Sequence, residues 1–200
     1  TFADAQVGRI VEAVDRLGLA ENTVIVFTSD HGYHMGEHGY YQKTTLFENA
    51  AHVPLIVAAP GLKAAGKSTA CPAEMIDFYP TLAALCGLDA PENLSGVSLL
   101  SALHDPSARP RQDALTQFDI GYSLRVSQYR YTEWGKDGSE GVELYNHDSD
   151  PEELVNLATN PETAQLVKRL SRQLRKRIAE AQKAPEGLVQ KKAPVKQRSK

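Results

Sequence analysis

Two short, unbroken apolar runs flank a polar, glycine-rich stretch, and this arrangement constrains the chain most. Val24-Ile25-Val26-Phe27 follows the turn Gly18-Leu19-Ala20-Glu21-Asn22, and Pro54-Leu55-Ile56-Val57-Ala58 is stopped by Pro60-Gly61. Neither run alternates, so both read as strands buried on both faces. Helical patterns neighbour each of them, which predicts an α/β fold built on a mostly parallel sheet covered by helices. The polar residues 28 to 52 leave the carboxyl end of the first strand, where open α/β sheets carry their ligand sites.

The opening residues have a helical stripe of Val7, Ile10, Val11, Val14 and Leu17. It reads as mid-helix, so Thr1 is expected to be a cut rather than a natural start. A helix is predicted over Asp77 to Cys86, with Pro80 in its first turn and Gly87 as its stop. Residues 91 to 110 read as a linker with a short helix at Ser98 to Leu103. Beyond them, Tyr122-Ser123-Leu124-Arg125-Val126, Tyr129 to Trp134 and Gly141 to Tyr145 predict antiparallel strands. Asn160 and Pro161 then open an amphipathic helix striped by Leu166, Leu170, Leu174 and Ile178. Three parts follow: an α/β part over 1–110, a small antiparallel sheet and helix over 111–183, and a disordered basic tail over 184–200.

Charge divides the chain unevenly. From Lys168 onward 12 Lys/Arg face Glu180 and Glu186, whereas the first 167 residues hold 10 Lys/Arg against 23 Asp/Glu. The basic end reads as a solvated helix face; a non-catalytic, polyanion-binding module is the alternative. No aromatic residue follows Lys168, so stacking platforms for nucleic acid are missing there and no nucleic-acid partner is expected. No run approaches the roughly 18 apolar residues of a membrane span. The two cysteines, Cys71 and Cys86, lack metal or redox spacing.

The densest chemistry lies in Thr28-Ser29-Asp30-His31-Gly32-Tyr33-His34-Met35-Gly36-Glu37-His38-Gly39. A carboxylate and an imidazole in adjacent positions, Asp30 and His31, can face one cation where the backbone turns, and Gly32 permits a turn. His34 and His38 read either as helix-cap or surface residues or as further contacts to a ligand.

This stretch, with Lys43, Glu48 and His52-Val53-Pro54-Leu55-Ile56-Val57 after it, resembles a conserved block of the sulfatases in the alkaline phosphatase superfamily. It is most similar to the iduronate-2-sulfatase-like branch. Asp77-Phe78-Tyr79-Pro80-Thr81-Leu82 resembles the family's D-x-x-P-T-L helix, and Gly96-Val97-Ser98-Leu99 its G-x-S-L turn. Glu143-Leu144-Tyr145-Asn146, Asp150-Pro151-Glu152-Glu153 and Asn156-Leu157 resemble its E-L-Y-D, D-P-x-E and N-L ending. The matches run in order over about residues 1 to 180.

The resemblance implies a sulfuric ester hydrolase acting on sulfated carbohydrate, glycosaminoglycan-like esters among them. It implies that Asp30 and His31 ligate one divalent cation, usually Ca2+, with Mn2+ or Zn2+ open because imidazole is an unusual calcium ligand. It further implies that Lys43 contacts the sulfate, with His38 and His34 as additional substrate-binding candidates, and that the protein is exported. The family's nucleophile is a formylglycine made from Cys or Ser in C/S-x-P-x-R, and neither Cys71 nor Cys86 has that setting. No catalytic nucleophile is therefore identified in this chain. The expected partner is the N-terminal part of the catalytic domain, without which the segment should be inactive. A phosphodiesterase or phosphonate monoester hydrolase of the same superfamily is the enzymatic alternative.

Overall fold

The computed structural model describes residues 2–184. The tail assignment therefore falls, but for its first residue, outside the described residues. Helix α1 (Phe2–Arg16) carries the expected apolar stripe yet buries none of its residues. Strands β1 (Ile25–Thr28) and β2 (Leu55–Ala58) frame the site loop and the one-turn helix α2 (Glu48–Ala51).

These two strands pair with each other, and they do so antiparallel, Val26 opposite Val57 and Thr28 opposite Leu55. This corrects the mostly parallel expectation for this pair. An apolar run encodes burial, not direction, and the 26-residue excursion between the strands brings β2 back alongside β1 in the opposite sense. One face, with Val26, Leu55 and Val57, packs on helix α3 (Phe78–Leu85). The other carries Phe27 and Ile56, the latter 59% exposed, so the strands are buried on one side only among the described residues.

Helix α3 starts through a 3-10 turn at Met75–Asp77 with a reciprocal cap: the Glu74 N–H donates to Asp77 Oδ2 at 2.8 Å, and the Glu74 side chain takes the N–H three residues on. Pro80 sits in the first helical turn, where its missing N–H costs nothing. Thr81 accepts the N–H of Leu99 at 2.9 Å, tying the turn before helix α4 (Leu100–His104) to α3.

The remaining chain forms a four-stranded antiparallel meander, β3 (Ala114–Phe118), β4 (Gly121–Val126), β5 (Tyr129–Trp134) and β6 (Gly141–Asn146), followed by helix α5 (Ala164–Ala181). Asn160 caps the lead-in turn by accepting the N–H of Glu162 at 2.9 Å. Leu124, Tyr131 and Leu144 lie opposite one another across three strands and meet Leu170 and Leu174 of α5, all of them nearly or fully buried. The opposite face is polar: Ser123 and Thr132 are fully buried and hydrogen-bonded at 2.9 Å, beside Arg130 and Glu143. That polar face packs against the site loop, which is why the period-2 pattern stays clean although both faces are covered.

Candidate functional site

The site begins two residues beyond the end of β1, at Asp30. Asp30 Oδ1 accepts the N–H of His31 at 3.0 Å, which leaves Oδ2 aimed 3.5 Å from His31 Nε2. His31 Nδ1 lies 2.7 Å from the carbonyl oxygen of Gly32. A carbonyl only accepts, so Nδ1 carries the proton and Nε2 presents its lone pair to the side occupied by Asp30. Lys43 reaches the same atom, its Nζ donating to Nε2 at 2.8 Å. Asp30, His31 and Lys43 thus converge although 12 residues separate the imidazole from the ammonium.

Gly32 matters for space, not for a left-handed turn. A Cβ there would lie 1.8 Å from the carbonyl oxygen of Asn49, because the loop's Gly32 N–H donates to Ala50 at 2.9 Å. The Asp30-His31 pair is thereby pinned to α2. The outer loop is closed by the His34 N–H to Gln42 carbonyl bond of 2.9 Å and by the Gly36 N–H to Tyr40 carbonyl bond of 2.9 Å.

His34 and His38 lie in this loop's interior instead of beside His31. His34 is 0% exposed and its Nε2 is 2.7 Å from Thr45 Oγ1; its ring meets Tyr40 and Phe47 edge-on. His38, in a left-handed conformation, stacks on Phe47 at 3.8 Å between centroids. Neither is the cap or surface residue that one reading of the sequence expects.

A charge network below the loop fixes its position. Arg130 donates from Nε to Glu153 Oε1 at 2.7 Å and from Nη2 to Glu48 Oε2; Glu153 Oε2 accepts the N–H of Glu48 at 2.7 Å. His147 adds a contact to Glu153 at 2.8 Å. Glu48, His147 and Glu153 converge closely enough to suggest a cation site, but the Arg130 guanidinium already neutralises the two carboxylates. Burial pushes the Glu48 carboxyl up, yet Arg130 and Arg125 outweigh it and hold the group below the usual carboxylate range. A second network joins α3 to α5: Arg111 grips the buried Asp77 with two bonds of 2.7 and 2.5 Å, and Arg177 bridges Glu74 and Asp113. The basic helix is therefore not simply a solvated face. Sequence reasoning missed both networks. The buried acid of Asp150-Pro151-Glu152-Glu153 and the arginines in otherwise β-type runs were the available signals.

Comparison with known proteins gives the family. Residues 36–180 match the family model described as N-sulphoglucosamine sulphohydrolase, C-terminal. The chain belongs to the sulfatase family. Its sulfatase relatives include arylsulfatase K of Bos taurus, 33% identical over 168 residues, covering 78% of this chain and 31% of the relative. A sulfatase of Formosa agariphila is 37% identical over 161 residues, covering 80% of this chain and 31% of its own length. This sulfatase chain thus spans about a third of the length of the curated relatives it matches. Among solved structures, a complex with the substrate D-glucosamine-2-N,6-O-disulfate superposes with a TM-score of 0.82 and 27% identity, over 88% of this chain and 38% of that one. The phosphonate monoester hydrolase of Agrobacterium radiobacter gives 0.76 and 28%, over 88% and 39%. The α/β class with a small antiparallel sheet and helix agrees with these structures.

Proposed function

We propose that this chain supplies one wall of a sulfate-ester hydrolase site, with sulfated carbohydrate as substrate. The observation that carries the reading is the convergence of Asp30 Oδ2, the lone pair of His31 Nε2 and Lys43 Nζ at the end of β1. A carboxylate oxygen and an imidazole nitrogen 3.5 Å apart fit two neighbouring positions around one divalent cation. The donor set suits Ca2+ through Asp30, and Mn2+ or Zn2+ through His31. A bound cation would supply Lewis acidity to the ester's oxygens. The Asp30 side chain is 82% exposed, which leaves its far side open to ligands from elsewhere in the protein.

In this reading Lys43 turns its ammonium to the sulfate oxygens and balances charge on the leaving oxygen. The same ammonium lies 2.8 Å from His31 Nε2, so Lys43 and the residues that would hold the cation share one corner of the site. His38, half-buried and stacked on Phe47, and His34, fully buried, would act on the substrate through the loop they support. The nucleophile, a formylglycine whose hydrate attacks sulfur in this family, is assigned to the N-terminal portion of the catalytic domain, and the chain alone is expected to be inactive. Residues 1–110 would belong to that domain and 111–183 to a small subdomain packed on it. The ending over 143–157 favours an iduronate-2-sulfatase-like member, and family membership favours export. No helix among the described residues is long and apolar enough to cross a membrane.

Phosphonate monoester hydrolase similarity favours one rival activity. Assaying the longest natural polypeptide that carries this segment on glucosamine 6-sulfate and on a phosphonate monoester separates the two. The sulfate ester should be cleaved with the higher kcat/KM. Faster cleavage of the phosphonate would reverse the assignment.

A further inference from the structure

A cavity of about 330 Å³ lies between the site loop and the polar face of the second sheet, and no role described above uses it. Clefts that take small molecules have volumes from roughly 300 Å³ upward. The loop contributes Tyr40, Gln42, Thr44 and Phe47, and the sheet contributes Phe118, Trp134 and Glu143. Gln42 and Thr44 flank Lys43, so the wall of this cavity and the ammonium belong to the same three residues of chain.

The sheet side is built and rigid. Trp134 sits opposite Gly121 in the strand register, and a Cβ on Gly121 would come within 2.6 Å of the indole. Only glycine lets the ring lie down on the neighbouring strand. The indole Nε1–H then donates to Glu143 Oε1 at 3.1 Å. Among the described residues no other group donates to Glu143, so its second oxygen is available to a ligand. Phe47, a further part of the wall, is braced by the His38 ring stacked on it. Aromatic faces with carboxylate, amide and hydroxyl groups around them match a ring that has C–H bonds on its face and hydroxyls at its edge.

We propose that this cavity is a saccharide-binding subsite, in which Trp134 and Phe118 pack against one sugar ring while Glu143, Gln42 and Thr44 bond its hydroxyl or amino groups. The proposal rests on the sulfated-carbohydrate reading and adds to it a subsite for a sugar unit of the substrate. It re-reads His38 as a brace for the cavity wall.

Trp134 is the chain's single tryptophan, so its emission reports on the cavity without labelling. The 200-residue chain is titrated with glucosamine, glucosamine 6-sulfate and inorganic sulfate. Both sugars should change the emission saturably in the millimolar range and to the same extent, and inorganic sulfate should leave it unchanged. Glu143→Gln should weaken sugar binding about tenfold and Gln42→Ala about threefold, each variant first shown folded by circular dichroism. Gln42 lies on the loop, so its variant carries the test should Glu143→Gln unfold. A non-saturable sugar response, the same response to sulfate alone, or sugar binding unaltered in the folded variants would overturn the subsite. Because glucosamine carries no sulfate, saturable binding beside a failed hydrolysis assay would overturn the sulfatase reading alone. Hydrolysis with no sugar response would overturn the subsite alone.

Discussion

Glu48 and Glu143 are both half-buried glutamates near the site loop, and their surroundings push them in opposite directions. Burial raises Glu48, but two arginines dominate and its carboxyl ends below the usual range. Burial also raises Glu143, and there the indole N–H is too weak a donor to reverse it, while the Glu153 charge raises it further. The linkage signs follow. Glu48 contributes stability that is fully present above the unfolded carboxyl pKa of about 4.3 and lost as pH falls through its lower folded value. Ionised Glu143 costs stability, a cost absent at acid pH that grows as pH rises from about 4.3 through its folded value. In urea titrations Glu48→Gln should therefore destabilise the chain near pH 7, with the gap to the native sequence closing only as pH falls through the lowered folded value. Glu143→Gln should stabilise near neutrality and lose its advantage at acid pH. Parallel pH profiles for both variants would contradict these environments.

At the scale of elements, the two halves of the chain differ in how well they close. Helix α5 and the four-stranded sheet form a core around Leu124, Tyr131, Leu144, Leu170 and Leu174, whereas α1 and the outer face of the β1–β2 pair bury little among the described residues. Leu174→Ala should cost about 2–5 kcal/mol in denaturant unfolding, by lost transfer energy plus a cavity. Ile10→Ser on α1 should change stability by about 0.5 kcal/mol or less. Equal costs would mean that α1 is packed in solution. The same contrast explains what could be read in advance. Alternation over Tyr122 to Val126 and the stripe from Leu166 to Ile178 state their partners in the pattern itself. Strand β3, Ala114-Leu115-Thr116-Gln117-Phe118, has too few β-branched residues to stand out. The direction of β1 against β2 depends on pairing partners far along the chain, which periodicity does not encode.

For the whole molecule, the site is assembled by long-range ion pairs that no local motif reveals. Asp30 and His31 stand out in a loop dense in histidines and carboxylates, whereas Lys43 is singled out only by the family resemblance; that the three converge is seen in the structure. Arg130 bound to Glu48 and Glu153, and Asp77 bound to Arg111, were not legible, since each pair spans dozens of residues. Breaking a buried pair by removing one partner typically costs about 3–5 kcal/mol. Arg130 thus holds the sheet and the Lys43 loop in one arrangement. The face that holds the loop also carries Trp134 and Glu143, so positioning of the Lys43 loop and shaping of the neighbouring cavity come from the same strands. The most direct test of the central claim is sulfate release from glucosamine 6-sulfate by the longest natural polypeptide containing this segment, compared with its Lys43→Ala variant. A fall in kcat/KM of about 100-fold or more, with the fold intact, is the predicted result. Activity undiminished in Lys43→Ala, or no sulfate release by the unaltered polypeptide, would contradict the assignment.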